Sequence, residues 1–115
     1  MGIKQYEIWL ADLSPQKGTE PGKIRPVLIV QTNLLNNIPH PFTIICPLTT
    51  QVVKGAEILR VHLSKGLANV HEPCDIMVDQ LRAIDNTRLI KKIGDLPPGL
   101  IVKVKESIAI TLDLE

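Results

Sequence analysis

Apolar and polar positions alternate in short segments along most of this chain, which is the pattern of a protein built mainly from strands. Alternation with a period of two is typical of a half-buried strand, whereas a continuous apolar run, such as 26–30, suits a strand buried on both faces. The pattern predicts strands at 6–13, 26–30, 42–48, 57–63, 74–81 and 90–94, with 82–85 continuing the fifth.

Helical periodicity is confined to two segments. Residues 32–37 predict a short helical turn that Thr32 or Asn33 caps. Apolar residues then recur at helical spacing near the C-terminus and predict a helix over about 98–112. A few apolar residues of that helix lie outside its main stripe, which predicts a second covered face against a partner subunit. They are Val102, Ala109 and Ile110.

Five to seven short strands, a small helical insertion and one closing helix predict a mainly β (α+β) fold. Such a set suits a strongly curved antiparallel sheet or a small barrel. The length of 115 residues suits a single domain, 1–115. Pro47 has no N–H for a sheet ladder, so the strand at 42–48 is predicted to be an edge strand or to carry a bulge.

Composition narrows the class of protein. With 44% hydrophobic and 22% charged residues, the chain is typical of a globular protein. The net charge of +1 neither favours nor excludes a nucleic-acid partner, because a nuclease needs only a local basic patch. No apolar run approaches the roughly 20 residues of a spanning helix, and no signal-peptide pattern opens the chain, so we expect a cytoplasmic protein with no membrane partner. Cys46 and Cys74 lie in apolar segments without a CxxC spacing, which predicts two reduced core thiols.

The strand pattern brings three polar residues to one rim of the predicted sheet. If the strands at 26–30 and 42–48 pair antiparallel, Thr49 meets Arg25, and Glu20 reaches the same rim from the preceding loop. A carboxylate can accept a proton from a ribose 2′-hydroxyl, while a guanidinium donates two hydrogen bonds to a phosphate and offsets its growing charge. The trio therefore suits phosphoryl transfer, with Arg25 as electrostatic stabiliser.

The same residues also have structural interpretations. Arg25 can form a buried ion pair with Glu20 or Asp79, and Thr49 can supply a turn hydroxyl. No serine-centred elbow or phosphate-cradling glycine loop is present. The histidines are isolated in sequence, so neither a metal nor another cofactor is expected. They are His40, His62 and His71.

Motifs spread over nearly the whole chain resemble one known family. The motifs are Glu7-Ile-Trp-Leu-Ala-Asp-Leu-Ser-Pro15, Gly18-x-Glu20, Arg25-Pro-Val-Leu-Ile-Val-Gln31, Pro47-Leu-Thr-Thr50 and Val78-Asp-Gln-Leu-Arg-Ala-Ile-Asp85, followed by the C-terminal helix. In this order they resemble the MazF/PemK toxins, the ribonuclease halves of bacterial toxin-antitoxin pairs. The resemblance implies an SH3-like barrel with a C-terminal helix, and a homodimer whose two sites lie near the subunit interface.

An activity and a partner are also implied by this resemblance. The activity is metal-independent cleavage of single-stranded RNA at short sequences, which gives 2′,3′-cyclic phosphate and 5′-hydroxyl ends. The partner is a cognate antitoxin whose disordered C-terminal segment lies across the RNA groove. Arg25 matches the family's catalytic arginine, Thr49 its catalytic threonine, and Glu20 a loop glutamate with a role in some members.

Further residues are predicted to contact RNA: Lys17, Thr19, Lys23, Gln31, Thr50, Lys54, Asp79, Gln80 and Arg82. The last three alternatively tie a strand to a loop. In the PemK branch, a His follows the loop glycine and an Arg precedes the aspartate by two positions, but Thr19 and Met77 stand at those places here. The acid and base of that branch therefore cannot be transferred, and we expect the MazF-type pair of Arg25 and Thr49.

Two other functions compete with this interpretation. CcdB-like toxins use the same fold to poison DNA gyrase by binding, without catalysis. The convergence of Arg25, Thr49 and Glu20 disfavours that class, because a pure binder has no need of such a trio. An inert RNA-binding barrel is the other alternative. The few aromatic residues, Tyr6, Trp9 and Phe42, make a poor base-stacking platform.

Overall fold

Most of the chain is described by a computed structural model, which covers residues 2–15, 18, 23–55 and 59–114. Within these residues the regular structure consists of seven strands and two α-helices, with short 3-10 turns between some of them. The strands are β1 (Glu7–Asp12), β2 (Ile24–Ile29), β3 (Phe42–Thr49), β4 (Arg60–Leu63), β5 (Cys74–Met77), β6 (Arg82–Asp85) and β7 (Leu89–Asp95); the helices are α1 (Asn33–Asn36) and α2 (Pro98–Thr111). The mainly β fold class, with a small helical insertion and a C-terminal helix, is confirmed.

The strands form one antiparallel sheet in the order β4-β5-β3-β2-β1-β7, and β6 pairs with β3. Among the described residues, β4 and β7 do not pair with each other, so the sheet remains open. A 3-10 segment between β4 and β5 packs across β7, where Asn69 Nδ2 donates a hydrogen bond to the Ile93 carbonyl oxygen at 3.0 Å. The approach is close enough that a Cβ at Gly94 would clash with the Ala68 carbonyl oxygen. Only glycine therefore fits there.

The prediction that Pro47 marks an edge or a bulge is wrong. β3 lies inside the sheet: residues 45–47 pair with β2, residues 42–45 with β6, and residues 48–49 with β5. Pro47 falls between the β6 and β5 pairings. The ladder on that side needs no N–H at this position, because one neighbouring strand has ended and the next has not begun.

The predicted strand at 74–81 is divided in two. β5 ends at Met77, residues Val78–Gln80 form a 3-10 turn, and β6 begins at Arg82. β5 then pairs with the end of β3, and β6 with its beginning. The turn therefore lets one stretch of sequence cover both halves of β3.

The central strands β1, β2 and β3 lie between two apolar clusters. One cluster contains Ile8 and Leu28 and is covered by α2 through Val104. The other contains Trp9 and Val27 on the opposite face. Burial on both faces holds these strands in close-packed surroundings, so polar groups at their ends have well-defined positions.

Both helices form where the pattern predicts them. Thr32 caps α1, and its hydroxyl accepts a hydrogen bond from Leu34 N at 3.3 Å. α2 has Pro98 in its first turn and buries Val104, whereas Val102 and Ile110 are exposed. In the described part of the chain, neither helix has the length and apolar character required to cross a bilayer.

Candidate active site

Arg25 and Thr49 meet at one end of the β2–β3 pair, as predicted from the strand order. Val27 pairs with Pro47 at this end of the ladder, and Arg25 and Thr49 each lie two residues beyond that pair, where both line one groove. Arg25 Nη1 donates a hydrogen bond to the carbonyl oxygen of Leu48 at 3.2 Å. Both side chains are partly exposed at this rim, which leaves them accessible to a ligand.

The Thr49 hydroxyl is oriented by the backbone that follows it. Thr49 Oγ1 accepts a hydrogen bond from Gln51 N at 3.2 Å. The Gln51 carbonyl oxygen in turn accepts one from Arg60 Nη1 at 2.9 Å. Val53 N donates to Asp75 Oδ2 at 3.3 Å. Side chains from β4 and β5 thus hold the segment that begins at Thr49.

An open groove of about 1400 Å³ lies beside these residues. Thr49, Thr50 and Gln80 contribute to its lining, as does the acidic Glu72. Basic side chains also line it: Lys23, Arg25, Arg60, Lys91 and Lys92. A groove with this charge suits a polyanion, because each basic group can offset one phosphate.

Other predicted RNA contacts are more dispersed. Asp79 is exposed within the 3-10 turn before β6, and Lys54 is exposed in a turn after β3. Arg82 is half-buried at the start of β6, opposite Ile45. Three predicted site residues lie outside the described residues, so their roles stay predictions: Lys17, Thr19 and Glu20.

Gln31 is not brought to this groove. Its side chain is buried, with Oε1 accepting a hydrogen bond from Ile44 N at 3.2 Å and Nε2 donating one to Asn36 Oδ1 at 3.0 Å. It lines a separate cavity of about 450 Å³ beside α1. In this structure the amide connects α1 to β3.

Sequence reasoning missed Asp75, the buried carboxylate next to the rim. Asp75 pairs with Thr49 in the sheet register and is 3% exposed. Its Oδ1 lies 2.9 Å from His62 Nδ1, and its Oδ2 lies 3.5 Å from Arg60 Nη1. The available signal was a charged residue between the apolar residues Cys74 and Ile76, because a buried charge requires partners.

Thiol chemistry is disfavoured at the described cysteines, which are free and buried as predicted. Burial, with a smaller contribution from the charge of Asp79, raises the pKa of Cys46 to about 12. Burial also raises the pKa of Cys74 to about 11. Both are thiols at neutral pH, whereas a nucleophile would have to be a thiolate. In the same part of the chain, no three side chains of His, Cys, Asp or Glu cluster as metal ligands.

The family is decided by a match over nearly the whole chain. Residues 4–112 match the model of the PemK-like, MazF-like toxins of type II toxin-antitoxin systems. This chain belongs to that toxin family. The expectation drawn from the motifs is therefore confirmed at the level of the family.

Curated relatives support the assignment to the PemK/MazF-like toxins, and solved structures share the fold. The chain is 33% identical to endoribonuclease EndoA of Bacillus subtilis, over 99% of this chain and 97% of the relative. It is 30% identical to endoribonuclease MazF of Staphylococcus epidermidis, over 97% of this chain and 92% of the relative. MazF of Deinococcus radiodurans has the same fold, with a TM-score of 0.82 at 21% identity and 99% of each chain covered. The Mycobacterium tuberculosis toxin MazF-mt6 gives 0.78 at 24% identity, over 95% of this chain and 98% of that one.

Proposed function

We propose that this protein is an endoribonuclease toxin that cleaves single-stranded RNA, in particular mRNA, at short specific sequences. The observation that carries the proposal is the meeting of Arg25 and Thr49 at the rim of a basic groove. Family membership and two curated relatives named as endoribonucleases support it. A single strand suits an open groove of this kind, because its bases are unstacked and accessible.

In the proposed reaction, the ribose 2′-oxygen attacks the neighbouring phosphorus while the bond from phosphorus to the 5′-oxygen breaks. The 2′-hydroxyl loses one proton and the departing 5′-oxygen takes one from water, which leaves a 2′,3′-cyclic phosphate and a 5′-hydroxyl. Arg25 donates hydrogen bonds to the phosphate and stabilises the growing charge. Thr49 donates its hydroxyl to the same phosphate, and Glu20 accepts the 2′ proton.

This chemistry needs no metal or other cofactor, because the guanidinium supplies the positive charge that a metal ion would otherwise provide. Of the predicted RNA contacts, Lys23, Thr50 and Gln80 line the groove, which supports their role in holding the strand. The cytoplasm, where mRNA is found, is the proposed place of action.

A cognate antitoxin and a second copy of the chain are the proposed partners. The matched family consists of toxins of type II toxin-antitoxin systems, so we expect an antitoxin to inhibit cleavage by laying a disordered C-terminal segment across the groove. Exposed apolar residues on and after α2 provide a surface that a partner subunit would cover. They are Val102, Ile110, Leu112 and Leu114.

The test is incubation of the purified protein with a long RNA in EDTA, followed by mapping of the new 5′ ends. We expect discrete cuts by the wild type. Arg25→Ala should cut on the order of 10²–10³-fold more slowly, which is the typical cost of removing one preorganised donor. Lys4→Ala is the matched control, because it removes one positive charge at an exposed position that does not line the groove.

Three outcomes would contradict parts of the proposal. Full activity of Arg25→Ala would remove Arg25 from the site. Activity lost in EDTA and restored by Mg²⁺ would overturn the metal-free mechanism. No cleavage by well-folded wild type would favour the gyrase-binding alternative, and binding to purified gyrase would then be measured.

A further inference from the structure

The segment after Thr49 is held by a chain of polar contacts that leads into the buried interior. The Thr49 hydroxyl accepts from Gln51 N, the Gln51 carbonyl oxygen accepts from Arg60, and Arg60 Nη1 lies 3.5 Å from the Asp75 carboxylate. Asp75 also accepts one hydrogen bond directly from this segment, from Val53 N. One carboxylate therefore holds the segment at two points, directly and through a guanidinium.

Burial makes this arrangement rigid. The Asp75 side chain is 4% exposed and that of Arg60 is 23% exposed. A buried carboxylate without partners is costly, so Asp75 depends on its contacts with Val53, His62 and Arg60. Any displacement of the segment would leave Asp75 short of a partner, and the segment is thereby held against the end of β3.

This rigidity acts on the group that faces the proposed substrate. Thr49 is the last residue of β3 and lies opposite Asp75, and its hydroxyl position depends on where the Gln51 amide sits. A displacement of about 1 Å at a reacting group is enough to slow a reaction by roughly 100-fold. Sheet pairing holds the Thr49 backbone, whereas the Asp75–Arg60 contacts hold the donor that orients its hydroxyl.

We propose that Asp75 and Arg60 are positioning residues that set the orientation of the Thr49 hydroxyl through the Gln51–Val53 segment. This role rests on the proposed ribonuclease function, since the hydroxyl must act on RNA for its orientation to affect a rate. Asp75 acts from the interior and touches no substrate. Arg60 lines the groove, but its described contacts are with Gln51 and Asp75.

The experiment compares Asp75→Asn with Glu7→Gln under saturating RNA, using a short single strand that contains a mapped cut site. Glu7 is the matched control, because it is a buried carboxylate with a similar set of donors and does not itself line the groove; of its three donors only Lys92 does. We expect Asp75→Asn to lower kcat about 10- to 100-fold with KM within about threefold of wild type. Glu7→Gln should leave kcat of the folded protein unchanged.

Amide hydrogen exchange at Gln51 and Val53 gives a readout that does not depend on activity. We expect roughly tenfold or faster exchange of both amides in Asp75→Asn, and wild-type exchange there in Glu7→Gln. Arg60→Gln is the second variant should Asp75→Asn fold poorly, because its side chain is closer to the surface. It should reproduce the loss of kcat and the faster exchange at Gln51.

The outcomes separate this proposal from the function on which it rests. If wild type cleaves and Asp75→Asn matches its kcat, or loses no more than Glu7→Gln, the positioning role is overturned. A raised KM with unchanged kcat in Arg60→Gln would make Arg60 a substrate contact and would also overturn it. If wild type cleaves no RNA, the ribonuclease proposal fails by itself. Unchanged exchange at Gln51 and Val53 in Asp75→Asn would show that Asp75 does not hold the segment, whether or not the protein cleaves RNA.

Discussion

Glu7 and Asp75 are two buried carboxylates that collect similar partners in different parts of the molecule. Glu7 is 6% exposed and accepts hydrogen bonds from Lys4 N at 2.8 Å and from the Trp9 indole at 3.0 Å, while Lys92 Nζ lies 3.0 Å away. Asp75 is 3% exposed and contacts one backbone N–H, one histidine nitrogen and one arginine. Each carboxylate therefore has one amide, one ring nitrogen and one basic side chain.

The difference lies in what the partners are attached to. Those of Glu7 belong to the start of the chain, to β1 itself and to β7, so this carboxylate ties the edge of the sheet together. Those of Asp75 belong to β4 and to the segment after Thr49. The comparison teaches that the same contacts stabilise the fold in one place and shape a site in another, depending on which element they hold.

A double-mutant cycle on cleavage should show the largest effect. Asp75→Asn and Arg60→Gln should each lower kcat about 10- to 100-fold, and the double variant should fall no further than the worse single variant, because both act through the same segment. Single-turnover cleavage of one short RNA measures all four proteins. If the double variant instead lost the product of the two single losses of kcat, up to about 10⁴-fold, the two residues would act independently.

Glu7→Gln should change stability instead of cleavage. Removing the charge that three donors share should lower the free energy of unfolding by about 1–3 kcal/mol. Trp9 is the only tryptophan, and its indole donates a hydrogen bond to Glu7. Its fluorescence therefore reports urea unfolding directly at the Glu7 contacts. An unchanged urea midpoint would show that the contacts of Glu7 add nothing to the free energy of unfolding.

The effect of Glu7→Gln should depend on pH. Burial by itself would raise the pKa of Glu7, but hydrogen bonds from Trp9, Lys92 and the Lys4 amide, with the charge of Lys92, outweigh burial and hold that pKa below its ordinary value of 4.5. The unfolded chain therefore takes up the proton first as pH falls, and the stability from Glu7 is complete above about pH 4.5 and lost as pH falls through the folded pKa.

Urea unfolding of wild type and Glu7→Gln between pH 7 and pH 3 measures this dependence. The difference in free energy of unfolding between the two proteins should be constant at neutral pH and should disappear in acid. Asp12 and Asp85 also have lowered pKa values, but both proteins contain them. The difference in free energy of unfolding therefore reports Glu7 alone. A difference that grows in acid would contradict the lowered pKa of Glu7.

Lys92→Met should have the smallest effect of the series. Lys92 is 42% exposed and bonds Asp95 as well as Glu7, and exposed ion pairs contribute little after solvent screening. We expect a smaller loss of stability than in Glu7→Gln, and a further reduction of the difference in high salt, measured by the same urea titrations. A loss of stability as large as that of Glu7→Gln would mean that Lys92 is the main partner of Glu7.

The core of the candidate site could be predicted because it depends on neighbouring strands. The strands that contain Arg25 and Thr49 are joined by a short connection, so antiparallel pairing alone brings the two residues together. Pro47 was misjudged, because one residue cannot reveal that its neighbouring strand changes from β6 to β5. The break after Met77 was missed for the same reason, since its cause is the pairing of two segments with one strand.

By itself, the sequence determined the mainly β class, the C-terminal helix, the family and the meeting of Arg25 with Thr49. These follow from local periodicity, from short connections and from motifs, all of which are contained in neighbouring residues. Only the tertiary structure decided which carboxylate would hold the segment after Thr49. Asp75 meets Val53, Arg60 and His62 because β3, β4 and β5 pair side by side, and alternation along one strand does not specify which strand lies next to it.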